Sequence, residues 1–265
     1  MRMPALLIAA ATALALAAPA HAKTIPVAAG EGAQTRLQEA LILAEPGDVV
    51  ELGAGRFVLT DGLSLDVKGV TVRGQGMDAT VLDFSGQKGS GEGLLVTSDE
   101  VTLRDFAVEN TKGDGIKSKG ADNIVYYRVR VTWTGGPKTT NGAYGIYPVE
   151  STGVLVDGCE VSGASDAGIY VGQSRKITVR RSTARENVAG IEIENSRDAL
   201  VENNFVTANT GGILVFDLPN LPVMGGGNVV IRDNLVADNN APNFAPKGNI
   251  VASVPSGTGI MVMAN

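Results

Sequence analysis

The sequence predicts an all-β solenoid, a parallel β-helix, and three observations carry that reading. Seven times a glycine and an aliphatic residue open a short apolar alternation: Gly93-Leu94, Gly115-Ile116, Gly145-Ile146, Gly168-Ile169, Gly190-Ile191, Gly212-Ile213 and Gly259-Ile260. From Ile146 to Ile213 the steps are 23, 22 and 22 residues. A second column, Val70, Val101, Ile124, Val154, Ile177, Leu200 and Val229, runs ahead of the first and contains three steps of 23. Self-similarity at one period marks stacked repeats, each burying its apolar face only against its neighbours. Within one repeat, Ile177-Thr178-Val179 and Ile191-Glu192-Ile193 alternate between turns rich in Gly, Asn, Asp and Ser. A period of two argues strand. The three-and-four spacing of a helical repeat is absent, and so is the Leu-x-x-Leu-x-Leu frame of a leucine-rich repeat.

Residues 1–22 read as a secretory leader, with Arg2, an apolar run from Leu6 to Ala18, and Ala20-His21-Ala22 as the cleavage site. The run is short and alanine-rich for a membrane span, and no later stretch is long and apolar enough. The expectation is a periplasmic or secreted protein with no membrane insertion. Cleavage removes the only histidine, so residues 23–265 have no imidazole to serve as base, acid or metal ligand. Those residues carry 21 basic and 28 acidic side chains, net −7, without the basic footprint of a nucleic-acid partner. Cys159 is the single cysteine, so no intrachain disulfide forms. Its register places it with Phe106, Val129, Ser182 and Phe205 in an inward column, as buried filler.

Residues 23–48 read as an N-terminal cap, in which Thr35, Leu37, Ala40, Leu41 and Leu43 suit a short amphipathic helix stopped by Pro46-Gly47. Such a helix covers the open edge and apolar core that a solenoid end exposes. The β-helix itself occupies residues 49–265, with an early rung from Val49 to Leu59. The sequence stops at Met263-Ala264-Asn265, inside a rung. That predicts a C-terminally incomplete helix, or an end that another chain covers in an end-to-end contact.

The cap pattern LQEALILAEPGDVVELGAGRF and the rungs GVTVRGQGMDATVLDFSG, GIYVGQSRKITVRRS and GIEIENSRDALVENNFV resemble the pectate-lyase-like superfamily of right-handed parallel β-helix proteins, across residues 23–265. They are also similar to secreted β-helix repeat proteins. The resemblance implies a right-handed coil, polysaccharide lyase, hydrolase or C5-epimerase activity, and a groove along one parallel sheet. It also implies Ca2+ as the one candidate cofactor. The calcium-binding aspartate set and arginine motif of pectate lyases have no placed counterpart here, and the Asp-Pro-His-Asp element of alginate epimerases is absent. The aspartate and histidine motifs of polygalacturonases are missing as well.

Irregular steps locate four insertions: about Ser85–Glu92, Trp133–Asn141 and Asn239–Ser256 before the glycine-led strands, and Asp217–Gly227 after one. Insertions in a solenoid gather around its binding face, which makes the glycine-led sheet the candidate groove. Alternation turns Leu94, Ile116, Ile146, Ile169, Ile191, Ile213 and Ile260 inward. It turns Leu95, Lys117, Tyr147, Tyr170, Glu192, Leu214 and Met261 outward, with Lys119, Val149, Gly172, Glu194 and Phe216 beside them. Glu150, Gln173 and Asn195 follow at the corner, and Asp114 and Asp166 stand at the preceding turn.

Lys117, Tyr147 and Tyr170 are the candidate catalytic residues for a lyase or C5-epimerase, which must remove a proton next to a uronate carboxylate. Lys117 or Lys119 would neutralise that carboxylate and a tyrosine would take or return the proton. Lys119, Glu150, Asp166, Gln173, Glu192, Glu194 and Trp133 are the candidate substrate contacts. Trp133 sits in VTWTGG, which faintly echoes a lyase pattern without its acidic partner. Glu192 and Glu194 would suit the ~5–9 Å separation of a glycoside hydrolase pair, although both lie on one strand. Met224, Met261 and Met263 offer thioethers to copper but lack any histidine or second cysteine, so no metal site is assigned. The competing reading of the same face is a solvated sheet with cross-strand ion pairs, in a non-catalytic binding or scaffold protein. Arg104, Arg128, Arg130, Arg180 and Arg181 form a face on the other sheet, relieved by neighbouring acids. Asn187, Asn203, Asn204, Asn209, Asn234 and Asn239 read as stacked structural asparagines.

Overall fold

Short Val, Ile and Leu runs that alternate with polar residues can bury one face only by pairing side by side. The computed structural model, which describes residues 22–89 and 91–263, shows them doing so in two long parallel sheets. The leader expected over residues 1–22 falls almost entirely outside the described residues.

The glycine-led sheet has eight strands: Leu63–Leu65, Leu94–Val96, Ile116–Lys119, Tyr144–Val149, Ala167–Gly172, Ala189–Glu194, Gly211–Phe216 and Thr258–Val262. Its inner column runs in register through Leu63, Leu94, Ile116, Ile146, Ile169, Ile191, Ile213 and Ile260. The first member, Leu63, follows Gly62 and extends the expected ladder by one rung. The second, fifteen-stranded sheet opens with Thr24–Val27, which pairs with Val49–Leu52. The segment read as cap therefore already contributes a rung strand.

Two positions in the second ladder shift by one residue. Ile177 pairs with Ala199, not Leu200, so Ala199 is buried and Leu200 faces outward opposite Thr178. Thr183 pairs with Phe205, so Ser182 stacks on Asn204 and Phe205 is 42% exposed. In both cases the rung takes 22 residues where the neighbouring step takes 23, and a slip of one exchanges the two faces. Cys159 is buried as expected, and burial pushes its thiol up to about 12.

The glycine column exists because of close approach between rungs. A Cβ on Gly115 would stand 2.6 Å from the carbonyl oxygen of Gly145, and one on Gly145 would stand 2.6 Å from that of Gly168. The helix Ala33–Leu43 buries Ala33, Leu37, Ala40 and Leu41, while Leu43 points to solvent. Gln38 substitutes for the missing neighbour of the first glycine-led strand. Its Nε2 donates to Ser64 O at 2.9 Å and its Oε1 accepts from Ser64 N at 2.9 Å. Ser118, a polar member of the inward column, is satisfied by a 2.7 Å hydrogen bond with the fully buried Tyr126 hydroxyl.

Asparagines hold the turns. Asn187 Nδ2 donates to Asn209 Oδ1 at 3.0 Å, and Asn209 Nδ2 donates to Asn239 Oδ1 at 2.8 Å. Asn204 Nδ2 donates in the same way to Asn234 Oδ1 at 2.9 Å. Asn203 is outside both ladders, exposed on a turn at φ 54°. On the arginine face each guanidinium already has a carboxylate. Arg104 and Arg128 share Asp105, Arg180 and Arg181 share Asp157, and Arg130 meets Glu109 and Asp78. The inner residues of the final described strand are not covered, so Ile260 is 52% exposed.

Asn209→Ala removes hydrogen bonds to Asn187, Asn239 and Ala184 from a site that water does not reach. The expected loss is about 2–4 kcal/mol, read as a lower urea midpoint. A change below about 0.5 kcal/mol, the level of an ordinary surface substitution, would contradict a structural role for the ladder.

Candidate functional site

The outward columns of the glycine-led sheet divide into two environments. Towards the N-terminal strands, Leu95 and Lys117 are half-buried and Thr97 and Lys119 are exposed. From Tyr170 onward the face is covered: Glu192 is 1% exposed, Glu194 7% and Phe216 3%. The cover is the insertion 239–256. Its 3-10 turn Ile250–Ser253 drives Val251, with Val254 close behind, onto Tyr170, Leu214 and Phe216, and Phe244 and Ala245 pack at the edge. The sequence placed this insertion beside the groove; its buried valines put it on top, where they remove apolar surface from water.

The second insertion, 217–227, walls the opposite corner. Asn195 Oδ1 accepts from Leu218 N at 2.7 Å and its Nδ2 donates to Leu218 O at 2.9 Å, while Gln173 Oε1 accepts from Val223 N at 3.2 Å. Gln173, a candidate substrate contact, thus holds a loop. Between the two insertions lies a cavity of about 300 Å³ lined by Tyr144, Asp166, Glu192, Glu194, Phe216, Leu218 and residues 248–251. A larger depression of about 500 Å³ lies on the other sheet, but its charges are already paired, Arg73 with Glu51 and Arg128 with Asp105.

Register brings aromatic and acidic side chains together at this cavity. Tyr147 leads towards Tyr170 on the next strand, and Tyr170 sits directly beside Glu192. Tyr144 joins them, giving three rings with centroids 4.5, 4.6 and 4.8 Å apart. The Tyr170 hydroxyl donates to Glu194 Oε1 at 2.9 Å. Tyr144 was not singled out in the sequence because it precedes the glycine pair rather than following it.

Two acids here are short of donors. Asp166 receives Asn249 Nδ2 at a long 3.4 Å, while Asp166 Oδ1 and Glu192 Oε1 are buried with no donor from elsewhere in the described chain. Burial pushes the Glu192 carboxyl well above the usual carboxylate range, and the charges of Asp166 and Glu194 push it further. Burial raises Asp166 too, although the Asn249 amide opposes the shift. Asp166 and Glu192 face the same cavity, and Glu192 is the more buried of the two. Glu194 is raised by burial against the opposing Tyr170 hydrogen bond. Burial lifts Asp114 to about 6, against the pull of Lys117.

The candidate catalytic residues from the sequence fall differently. Tyr170 is buried and its hydroxyl is pushed far above the ordinary range by burial and then by Glu194. Tyr147 is half-buried and pushed up to about 12. Both keep their protons at neutral pH, which suits donors and not bases. Lys117 stands 4.7 Å over the Tyr147 ring and pairs with Glu92 at 3.3 Å and Asp114 at 3.9 Å. Lys119 and Glu150 pair at 3.9 Å on the open half. Trp133 does not face the groove. It is 6% exposed, belongs to the hydrophobic core, and donates from Nε1 to Thr111 O at 2.7 Å. Its size and apolarity fill the corner left by the 133–141 insertion. Among the described residues no group of three or more acids, cysteines or histidines is arranged to hold a metal ion, and no helix is long and apolar enough to cross a membrane.

The family described as "Right handed beta helix region" matches residues 68–220 and 140–265. A polygalacturonase from Erwinia carotovora ssp. carotovora is similar in structure, with 14% identity, a TM-score of 0.53, and coverage of 79% of this chain and 76% of that one. The catalytic domain of a GH87 α-1,3-glucanase in complex with tetrasaccharides gives 14% identity and a TM-score of 0.50, covering 82% of this chain and 46% of that one. An alginate lyase from Paenibacillus sp. str. FPU-7 gives 16% identity and a TM-score of 0.49, covering 91% and 98%. The first two likenesses bear on the fold alone. No curated protein matches the sequence.

A carboxyl raised in the folded state binds a proton that the unfolded chain has already released, so its contribution falls as pH rises from the unfolded value to the folded one. For Asp114 that window is from 3.8 to about 6, worth about 2–3 kcal/mol. Asp114→Asn is therefore expected to gain stability relative to the unmodified protein between pH 4 and 7.5, measured by urea unfolding at both. A pH-independent difference would contradict the burial assignment.

Proposed function

This chain belongs to the right-handed β-helix family, and from that premise we propose that it is a secreted carbohydrate-active protein that binds a glycan along the glycine-led sheet and cleaves a glycosidic bond by carboxyl acid–base chemistry. One observation carries the reading: Asp166 and Glu192, each with a buried carboxyl oxygen that no donor reaches, line one cavity beside three packed tyrosines. The fold is one that a polygalacturonase and an α-1,3-glucanase also use. The half-buried Tyr144 and Tyr147 supply apolar area for a sugar ring and hydroxyls that donate to its oxygens.

The chemistry follows from the unequal acids. Glu192, whose burial favours the protonated form, donates its proton to the glycosidic oxygen as the bond to the anomeric carbon breaks. A carboxylate, Asp166 or Glu194, faces the developing positive charge and accepts a proton from the water whose oxygen bonds to that carbon. Glu192 ends ionised and is reprotonated from that neighbour or from solvent. Tyr170 holds Glu194 in place through its 2.9 Å hydrogen bond.

Charge bears on the substrate. The acids Glu92, Asp114, Glu150, Asp166, Glu192 and Glu194 surround the face, against Lys117 and Lys119. A uronate carboxylate at the cavity would meet like charge in a poorly solvated place. An uncharged glycan fits better. A second reading, elimination from an acidic polymer, is favoured by one observation on the open half, where Lys117 lies against the Tyr147 ring.

One assay separates the two. New reducing ends, without absorbance from unsaturated uronate, are expected on neutral polymers such as α-1,3-glucan. Glu192→Gln is expected to lower that rate by about 10²–10⁴-fold. Unsaturated ends from alginate or pectate that disappear in Lys117→Ala would instead establish the lyase reading. Silence on every polymer with retained binding would leave a carbohydrate-binding protein.

A further inference from the structure

The face that would carry a glycan is open at one end and shut at the other. Across the strands that start at Leu63, Leu94, Ile116 and Tyr144 the outward Ser64, Leu95, Lys117, Lys119 and Tyr147 reach solvent while Val149 at the far corner is buried, a stretch of about 15 Å at the usual ~4.8 Å strand spacing. One strand further on, Tyr170 is 4% exposed, and beyond it Leu214 and Phe216 are sealed under Val251 and Val254. The cavity with the unpaired Asp166 and Glu192 oxygens sits at this boundary, so the open stretch leads to the carboxyls and then meets a wall. Three separate contacts build that wall: the apolar packing of the 3-10 turn, the Asn249 amide on Asp166, and the Asn195 brackets that hold Leu218.

A polymer lying across a cleft needs an exit on both sides of the bond it presents. Here an exit exists on one side only. A cavity of about 300 Å³ is at the small end of ligand pockets, the size for one terminal sugar unit rather than a chain. We propose that the protein acts on glycan chain ends: the terminal unit enters the cavity beneath insertion 239–256, and the rest of the chain runs back along the open strands towards Leu63. This rests on the glycosidic-cleavage reading above. Insertion 239–256 then sets the mode of attack, and Asn249 is a positioning residue that fixes the turn against Asp166 and donates to it.

The test is the product profile of the full chain on α-1,3-glucan and on neutral oligosaccharides of defined length labelled at the reducing end. The expected result is release of one-unit or two-unit products from the first time point, with the labelled species shortening stepwise. Unlabelled released products of three or more units at early times, which only cuts inside the chain can give, would overturn the inference while leaving glycosidic cleavage standing. No cleavage of any polymer, with the cavity accessible, would remove the reading on which it rests. A variant in which a Gly-Ser linker replaces residues 243–254 is expected to raise the share of such released products of three or more units by about tenfold. Should it fail to fold, Asn249→Ala is expected to raise the share of longer products while leaving the fold intact. An unchanged profile in a folded Asn249→Ala protein would show that Asn249 does not position the wall, and an unchanged profile in a folded linker variant would overturn the proposal.

Discussion

In-register stacking of rungs is the constraint on which the rest of the structure depends. It requires each coil to return to the same corner within the strand spacing, and the glycine column is what permits it. The carbonyl of one rung lies 2.6 Å from where the Cβ of the previous rung's glycine would be, as at Gly115 and Gly145. Once that spacing is set, side chains form columns whether their chemistry favours it or not. Asparagines in such a column bond along it, from Asn187 through Asn209 to Asn239. Tyrosines in one pack together, and acids in one must either separate or share protons.

The candidate site is the third case. Stacking puts Tyr170 beside Glu192 and Gly172 beside Glu194, and Asp166 arrives from the preceding turn. Left in water, these acids would ionise and repel modestly. Insertion 239–256 removes the water, because Val251 and Val254 bury themselves against Leu214 and Phe216. Desolvation then disfavours the charged forms, and the acids divide into a holder and an acceptor of a proton. The same turn creates the cavity, blocks one end of the groove and shifts the carboxyls, so stability, access and chemistry are coupled through one packing contact.

Much of this was legible in the sequence, and the reasons are physical. The glycine-led ladder fixes fold, register and which residues face outward, because a period-two pattern repeated at a fixed step has one stacking solution. Phe205 and Leu200 were misplaced because a constant step was carried across a 22-residue rung; Asn204 and Ala199 occupy the inward positions. Trp133 was read as a sugar contact because aromatic rings serve both cores and sugar sites, and only packing tells them apart. The burial of Glu192 was not legible at all. It depends on where an aperiodic insertion lands, and nothing in the local sequence of 239–256 encodes the distant strand that it covers. Asn249 and Tyr144 were missed for related reasons, one lying in that insertion and the other just outside the repeat.

The central claim is that a buried carboxyl pair on this sheet keeps a proton at neutral pH. Infrared spectroscopy of the carboxyl C=O stretch at pH 7 tests it directly, comparing the unmodified protein with Glu192→Gln. The account predicts a protonated-carboxyl band that shifts in D2O and is lost in the variant. A spectrum with no such band at pH 7, or a band indifferent to Glu192→Gln, would contradict it.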